Sequence, residues 1–412
     1  MMEVAEKGKL LVDWASKEMP VIKILKESFT QNKPFAGLKI GACLHITPET
    51  ANLVLLLRDG GAKVFLTASN PLSTKDEIVD YLRNYEGIWV ESKRGESNQE
   101  YYENIRKVIS NQPDLIIDDG GDLISTMCSE NKTISSKVIG GCEETTTGII
   151  RLNNLHKEGK LLFPVIAVNN AKTKHMFDNR YGTGQSTIDG ILRATNILIA
   201  GKTCVVAGYG WCGKGVAQKA KAMGAKVIVT EIDPIKALEA VMDGFEVKTM
   251  EEASAIGDIF ITVTGNIEVI TDKHFNNMKD GAILANSGHF NVEINVEYLE
   301  KNKISKRKIR DNLEEYIMPN GKHLYLIGEG RLANLVAAEG HPPSVMDMSF
   351  ANQALSLEFL SKNKTRLKPG IYDVPIEIDK KVAFYKLLSM KIRIDELSEK
   401  QKKYMETWNL GT

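Results

Sequence analysis

The sequence predicts an α/β protein with two doubly wound parallel-sheet domains and a small helical C-terminal segment. Three observations lead there. The stretch Lys202 to Asp233, KTCVVAGYGWCGKGVAQKAKAMGAKVIVTEID, reads as strand, glycine turn, helix and strand. The half of the chain before it alternates short apolar runs with amphipathic ones, the pattern of a parallel sheet covered on both faces. At 412 residues the chain is also too long for one ordinary core.

In order, residues 10–29 read as helix interrupted at Pro20. Strands are expected at 38–44, 63–68 and 114–118, and helices at 49–58, 75–85 and 98–110. Further strands are expected at 138–141 and 163–168, then a helix over 184–201. The second half opens with strand 203–207, helix to Gly224 and a strand running to Glu231. Helix 234–242, strand 259–263, helix 272–278 and strands 282–286 and 323–327 follow. Helix 348–360 is expected to pack back on the first domain, and helices 380–392 and 398–408 form the tail, the last with Ser398 as a cap. The domains are thus drawn as 1–182 completed by 342–372, 183–341, and a helical or oligomerisation segment at 373–412.

Composition sets bounds. The 53 basic and 53 acidic side chains cancel, and 43% hydrophobic with 26% charged residues is an ordinary globular balance. The lysine-rich segments 303–310 and 400–403 are solvated faces in this reading, so no nucleic-acid partner is expected. No apolar run reaches the roughly 20 residues of a membrane span, and the polar start MMEVAEKGK is unlike a signal peptide. Five cysteines with no CxxC pair point to a reducing, cytoplasmic setting and no structural metal.

The glycine turn carries the first functional signal. Gly208 allows a tight turn, Gly210 lets backbone approach a pyrophosphate, and Gly213 lets the helix sit close to the sheet. Glu231 ends the second strand, where its carboxylate can accept hydrogen bonds from both ribose hydroxyls and repel a 2′-phosphate. The expected cofactor is therefore NAD. In the first half, polar motifs fall at the C-terminal ends of strands, where open parallel sheets bind ligands: His45 to Glu49, Asp118 to Asp122, Glu143 to Gly148, and Lys172 to Asn179. Helix capping explains one such cluster, such as Thr47-Pro48-Glu49. Four together point to a site.

At these residues the chain resembles the S-adenosyl-L-homocysteine hydrolases. CLHITPETA, DDGGDL, EETTTG, TKHMFDN, YGTGQS, GYGWCGKG, TEIDP, SGHFNVEI, EGRLANL and GHPPSVM occur in that family's order over nearly the whole length. The resemblance implies a homotetramer with tightly held NAD, closing over a small nucleoside thioether. It assigns Thr47, Glu49, Asp119, Glu144, Lys174, Asp178, His289 and His341 to the substrate. It assigns Thr145, Thr146, Thr147, Asn179, Gly208, Tyr209, Gly210, Trp211, Cys212, Gly213, Glu231, Thr264, Asn266, His289 and Asn334 to the cofactor.

Oxidising the 3′-hydroxyl acidifies the C4′ proton and makes elimination of homocysteine feasible, so the reaction needs separate groups for separate protons. Lys174 beside Asp178 is expected to serve the hydroxyl, its pKa lowered by burial. Asp119 is the expected C4′ base, with His45 at the leaving-group side; sequence alone does not separate those two roles. Thr183 stands where many relatives carry cysteine, and Lys236 where asparagine is common near the adenosine ribose. The chain ends at Thr412 without the lysine- and tyrosine-bearing extension of longer relatives, as in short archaeal and thermophilic bacterial forms. Weaker cofactor retention and a changed subunit contact are expected from that.

Three other readings fit less well. A 2-hydroxy-acid dehydrogenase leaves the EETTTG and DDGGD clusters without a place. An inactive NAD-binding regulator would not need His45, Asp119, Glu144, Lys174 and Asp178 intact. An S-inosyl-L-homocysteine hydrolase differs only at the purine, where Glu49 as an acceptor suits an adenine amino group better.

Overall fold

A computed structural model describes residues 2–364 and 366–409; Thr365 and the last three expected tail positions, Leu410 to Thr412, lie outside the described residues. The strands are β1 (Lys39–Cys43), β2 (Lys63–Thr67), β3 (Trp89–Glu91), β4 (Leu115–Asp118), β5 (Gly140–Glu143), β6 (Pro164–Ala167), β7 (Thr203–Ala207), β8 (Lys226–Thr230), β9 (Glu246–Val247), β10 (Ile259–Thr262), β11 (Ala282–Asn286), β12 (Ser305–Arg310), β13 (Leu313–Ile317), β14 (His323–Ile327) and β15 (Gly370–Asp373).

They form two sheets. The first is ordered β15-β6-β5-β4-β1-β2-β3 and is parallel throughout. The second is ordered β12-β13-β14-β11-β10-β7-β8-β9, parallel except where β13 pairs antiparallel with both β12 and β14. Strand order reverses between β1 and β4 in the first sheet and between β7 and β10 in the second. Those reversals open crevices at the strands' C-terminal ends, which is where the polar motifs fall.

Most expected elements form within a residue or two of their expected ends. Pro20 begins a new helix, Pro20–Asn32, after Met2–Lys17, because proline is tolerated in a first turn and not inside a helix. The helix expected over 184–201 stops at Thr195, where Asn196 turns left-handed (φ 55°). The strand expected at 138–141 lies at Gly140–Glu143, so Glu143 belongs to the strand and not to the loop after it. The helix expected from 348 begins at Pro343, and the tail helices span Ile376–Ser389 and Glu399–Glu406. Ser398 does cap the last one. Strands β3, β9, β12, β13 and β15 and helices such as Asp122–Glu130 and Val296–Asn302 were not expected. The lysine-rich 303–310 segment is mostly the charged edge strand β12, a composition that discourages edge-to-edge pairing.

Helix Pro343–Lys362 buries Met348, Phe350, Ala351, Ala354 and Leu355 in the core of the first sheet. It also fastens the tail. Asp347 accepts from the Val21 and Ile22 amides at 3.2 and 2.9 Å and pairs with Lys386 at 2.9 Å. Asp379 accepts from the Lys172 and Thr173 amides at 2.7 and 2.9 Å. The first tail helix therefore braces the turn that carries Lys174.

Candidate active site

Between the sheets lies a cavity of about 1250 Å³. All of the side chains and turns named from sequence line it except Gly213, which acts from behind. A Cβ on Gly213 would stand 2.0 Å from the Gly208 carbonyl oxygen, so only glycine lets helix Trp211–Ala222 begin so close to the turn. Gly208 itself has φ 101°, and a Cβ on Gly210 would meet nothing within 4 Å. The Trp211–Ala222 helix has no side-chain cap, which leaves its first amides free for an anion. Tyr209 contributes backbone only, since its ring is buried and its hydroxyl donates to Asp243 at 2.7 Å. Glu231 accepts from the amides of Tyr209 and Ile232, both at 2.7 Å, and faces the cavity beside Lys236.

Two buried residues that sequence reasoning missed set the far wall. Glu293 accepts from the Thr264 amide and hydroxyl at 2.9 and 2.7 Å and from the Gly265 amide at 2.8 Å, fixing the loop that presents Asn266. Asn286 accepts from Thr262 and the Gly288 amide and shares its two N–H groups among the carbonyls of Gly288, Phe290 and Gly330, shaping the turn that carries His289. Both sit next to or inside the SGHFNVEI motif; being buried polar residues, they were readable in principle as loop anchors. Asn334 is buried against the cavity with its Oδ1 unpartnered, an acceptor awaiting an amide donor such as a carboxamide. With the free helix start and Glu231, this donor and acceptor set fits a dinucleotide.

On the opposite wall, Lys174 is buried with its Nζ 2.8 Å from Asp178 Oδ2, 2.8 Å from Asn179 Oδ1 and 3.6 Å from Glu144 Oε1. Asp178 and Asn179 lie on a π-helical stretch, His175–Gly182, a widened geometry common at functional sites. Asp178 also binds His341 Nδ1, whose Nε2 lies 3.3 Å from Thr183 Oγ1. That hydroxyl is 3.4 Å from Cys212 Sγ. Glu144 is held by Ser349 and, at 2.5 Å, by Gln353.

Burial alone would lower the Lys174 pKa, as expected from sequence. The Asp178 and Glu144 carboxylates outweigh it and raise the pKa, so the resting side chain is an ammonium. The expectation of a lowered lysine pKa is therefore wrong for this state of the site. Asp178 is correspondingly held below the carboxylate range; burial opposes this, but the His341 and Lys174 interactions win.

The third group spans both sheets. His45, two residues beyond β1, points Nε2 at Asp119 Oδ2, 3.5 Å away, while its Nδ1 meets Ser73 Oγ at 2.7 Å. His289, beyond β11, brings Nδ1 to 3.8 Å from Asp119 Oδ1. That close approach requires Gly120 (φ 108°), since a Cβ there would lie 2.2 Å from His289 Nε2. Burial lowers His45 to about 3 and also lowers His289, so both imidazoles are neutral. Burial raises Asp119, and its Oδ1 lacks a hydrogen-bond partner. The three groups have metal-ligand spacing, each with one atom within 4.8 Å of the others.

Thr47 caps helix Pro48–Asp59, accepting from the Thr50 amide at 3.4 Å, and it lines the cavity as well. Capping and facing the cavity are thus compatible at this one residue. Glu49 is buried beside it with its pKa raised, burial being the largest cause. Thr145 likewise caps helix Thr146–Lys157, and Asn169 donates to Thr146 at 2.9 Å and accepts from Asn179 at 3.1 Å.

The S-adenosyl-L-homocysteine hydrolase pattern matches residues 1–138, and the NAD binding domain of that hydrolase matches residues 179–340. The chain belongs to the S-adenosyl-L-homocysteine hydrolase family. An adenosylhomocysteinase of Aquifex aeolicus is 59% identical over 411 residues, covering 100% of this chain and 98% of that relative. Adenosylhomocysteinases of Sulfolobus acidocaldarius and Aeropyrum pernix are 55% and 56% identical, each with 98% of the relative covered. Membership makes this chain an enzyme of the hydrolase type with NAD as cofactor, and the archaeal and bacterial relatives of nearly equal length match the short form expected from sequence. Among the described residues no helix is long and apolar enough to cross a membrane.

Proposed function

We propose that the chain catalyses reversible hydrolysis of S-adenosyl-L-homocysteine to adenosine and L-homocysteine through a transient 3′-ketone, with no net redox change. The observation that carries this reading is that one cavity holds two separate proton-handling groups, Lys174–Asp178 and Asp119 with its histidines. Bound NAD would supply a reversible hydride acceptor and a positive charge that favours the neutral lysine. Lys174 then takes the 3′-hydroxyl proton, with Asp178 and His341 next along the same hydrogen-bonded line. Asp119 takes the C4′ proton, because burial strengthens its carboxylate as a base while weakening His45. His45, oriented by Ser73, serves the leaving sulfur and the entering water.

In this reading residues 1–182 with 342–372 form the substrate domain, 183–341 the NAD domain, and 373–412 a tail. The enzyme works as a cytoplasmic homotetramer. Exposed apolar side chains, among them Ile232, Ile235 and Met242 beside the NAD site and Phe384 and Leu388 on the tail, are surfaces that association would cover. A second reading, with the S-inosyl thioether as substrate, is favoured by the raised pKa of Glu49, since a protonated carboxyl can donate to a carbonyl.

Holoenzyme incubated with adenosine in heavy water should exchange the C4′ proton while absorbance of the reduced cofactor rises and stays with the protein. Asp119→Asn should keep the absorbance change and lose exchange, whereas Lys174→Ala should lose both. Release of reduced cofactor into solution, or wild-type exchange by Asp119→Asn, would overturn these roles.

A further inference from the structure

Directly beneath the reacting groups lies a buried carboxyl that the reaction described above does not use. Glu143 ends β5 and is wholly inaccessible to solvent. Its Oε1 accepts from the Gly120 amide at 2.8 Å, the Thr145 amide at 2.9 Å and the Thr145 hydroxyl at 2.8 Å. The same hydroxyl accepts from the Gly148 amide at 3.0 Å. One oxygen thus joins two loops from neighbouring strands. The first carries Asp119 and supports His289 through Gly120; the second carries Thr145, Thr146 and Thr147, which line the cavity. Gly148 makes the space, since a Cβ there would fall 2.1 Å from Glu143 Oε1.

We propose that Glu143 is a positioning residue for the reaction: its single bridging oxygen keeps the Asp119 turn and the Thr145–Thr147 turn in register, so that proton abstraction and cofactor contact are aligned together. The inference rests on Asp119 being the C4′ base. Two further observations indicate that the bridge works as a neutral acid. Oε2 is buried and has no hydrogen-bond partner, which a charged oxygen would tolerate poorly. Asp118, whose oxygens accept from the Asp119 and Ile124 amides at 3.0 and 2.8 Å, adds a second carboxyl beside it, and burial with that neighbour raises Glu143 well above the ordinary range. A neutral bridge leaves the charge of Asp119 undisturbed, while Oε1 remains an acceptor.

Glu143→Gln keeps that acceptor and the length of the side chain; Glu143→Asp keeps the acid but pulls the oxygen back by one methylene. In holoenzyme with full cofactor content and near-wild-type melting, the glutamine variant should keep kcat within about threefold and show an unmoved acid limb in kcat/KM. The aspartate variant should lose at least about tenfold in kcat with KM changed less than about threefold, and its C4′ exchange should fall in step. Wild-type kcat in a folded aspartate variant would overturn the proposal, as would loss confined to KM or to melting temperature. A folded glutamine variant that is inactive, or whose acid limb moves to lower pH, would overturn it too, by showing that the native bridge is charged. The dependence on Asp119 is checked apart: if Asp119→Asn exchanges normally, the base assignment fails whatever the Glu143 variants do.

Discussion

At the β1/β4 crevice the first sheet presents charged and titratable side chains: His45, Asp119, Glu144, Lys174 and, from the π-helical stretch, Asp178. At the β7/β10 crevice the second sheet presents backbone: the Gly208 to Gly213 turn, an uncapped helix start, and a loop whose amides are tied to Glu293. Both sheets wind the same way and open their crevices at the same topological place. They differ in what lines the crevice. The substrate wall depends on buried groups that set one another's protonation, so it should respond to pH and to changes of charge. The cofactor wall depends on close backbone approach, so it should respond to added volume and be indifferent to pH. Glu231 and Glu293 fit this division, since both hold amides in place.

The largest effect expected on the cofactor wall comes from one methyl group. Gly213→Ala puts a carbon 2.0 Å from the Gly208 carbonyl, a backbone atom that moves only if the turn moves. Overpacking costs of about 1–3 kcal/mol correspond, at the upper end, to on the order of a hundredfold in affinity. Copurified NAD should fall sharply while the isolated first sheet's melting contribution and the Lys174 environment stay intact. Retention of NAD at the wild-type level would break the division between the walls.

Next in size is the response to pH. As the proposed C4′ base Asp119 must be ionised, and burial raises its pKa above the ordinary value of about 3.9. As pH falls through that raised value the base is lost, so kcat/KM should drop by about tenfold per unit on an acid limb displaced upward from a normal carboxylate. Bound NAD, measured on the same samples, should stay constant across that limb. Parallel loss of both would mean that the cofactor wall also hangs on titrating side chains.

How much of this was legible in the sequence follows the same division. Glycine turns, strand-end polar clusters and the Glu231 position are local signals, and the structure brings nearly all the named residues to one cavity. What stayed hidden was pairing at long range. The edge strand β15 depends on β6, a partner distant in sequence, whereas β12 and β13 pair with sequence neighbours and were hidden by the charge of β12, SKRKIR. The direction of the Lys174 shift depends on Glu144, thirty residues away in sequence, together with Asp178. Glu293 and Asn286 looked like ordinary loop or strand residues, and Glu143 like one more member of a polar cluster, until the amides they hold were placed around them.

A smaller effect should follow at Glu231. Its carboxylate faces the cavity while accepting backbone amides, so a 2′-phosphate would meet its charge. Glu231→Ser removes that repulsion and, with Lys236 and Lys248 lining the same region, should narrow the NAD over NADP preference by about tenfold in dissociation constant. Because serine also gives up the Tyr209 amide, NAD binding itself should weaken slightly. Equal binding of NAD and NADP by the wild-type protein would remove Glu231 from the specificity argument and leave only the glycine turn.

The smallest expected effect tests the substrate wall where it is least charged. Glu49 is buried beside Thr47 and its pKa is raised by that burial, so it stands between two behaviours: a carboxylate that only accepts, and an acid that also donates. An adenine amino group needs an acceptor, and a 6-carbonyl needs a donor. If the carboxylate form recognises the purine, wild-type enzyme should cleave the adenosyl thioether faster than the inosyl one. Glu49→Gln presents either function by turning its amide, so the gap should shrink by about threefold to tenfold, with the change in kcat/KM and little in cofactor content. If the gap also closes in wild type as pH falls through the raised Glu49 value, the protonated acid is the donor. Faster wild-type cleavage of the inosyl compound at neutral pH would instead favour the inosyl reading, with the mechanism otherwise unchanged.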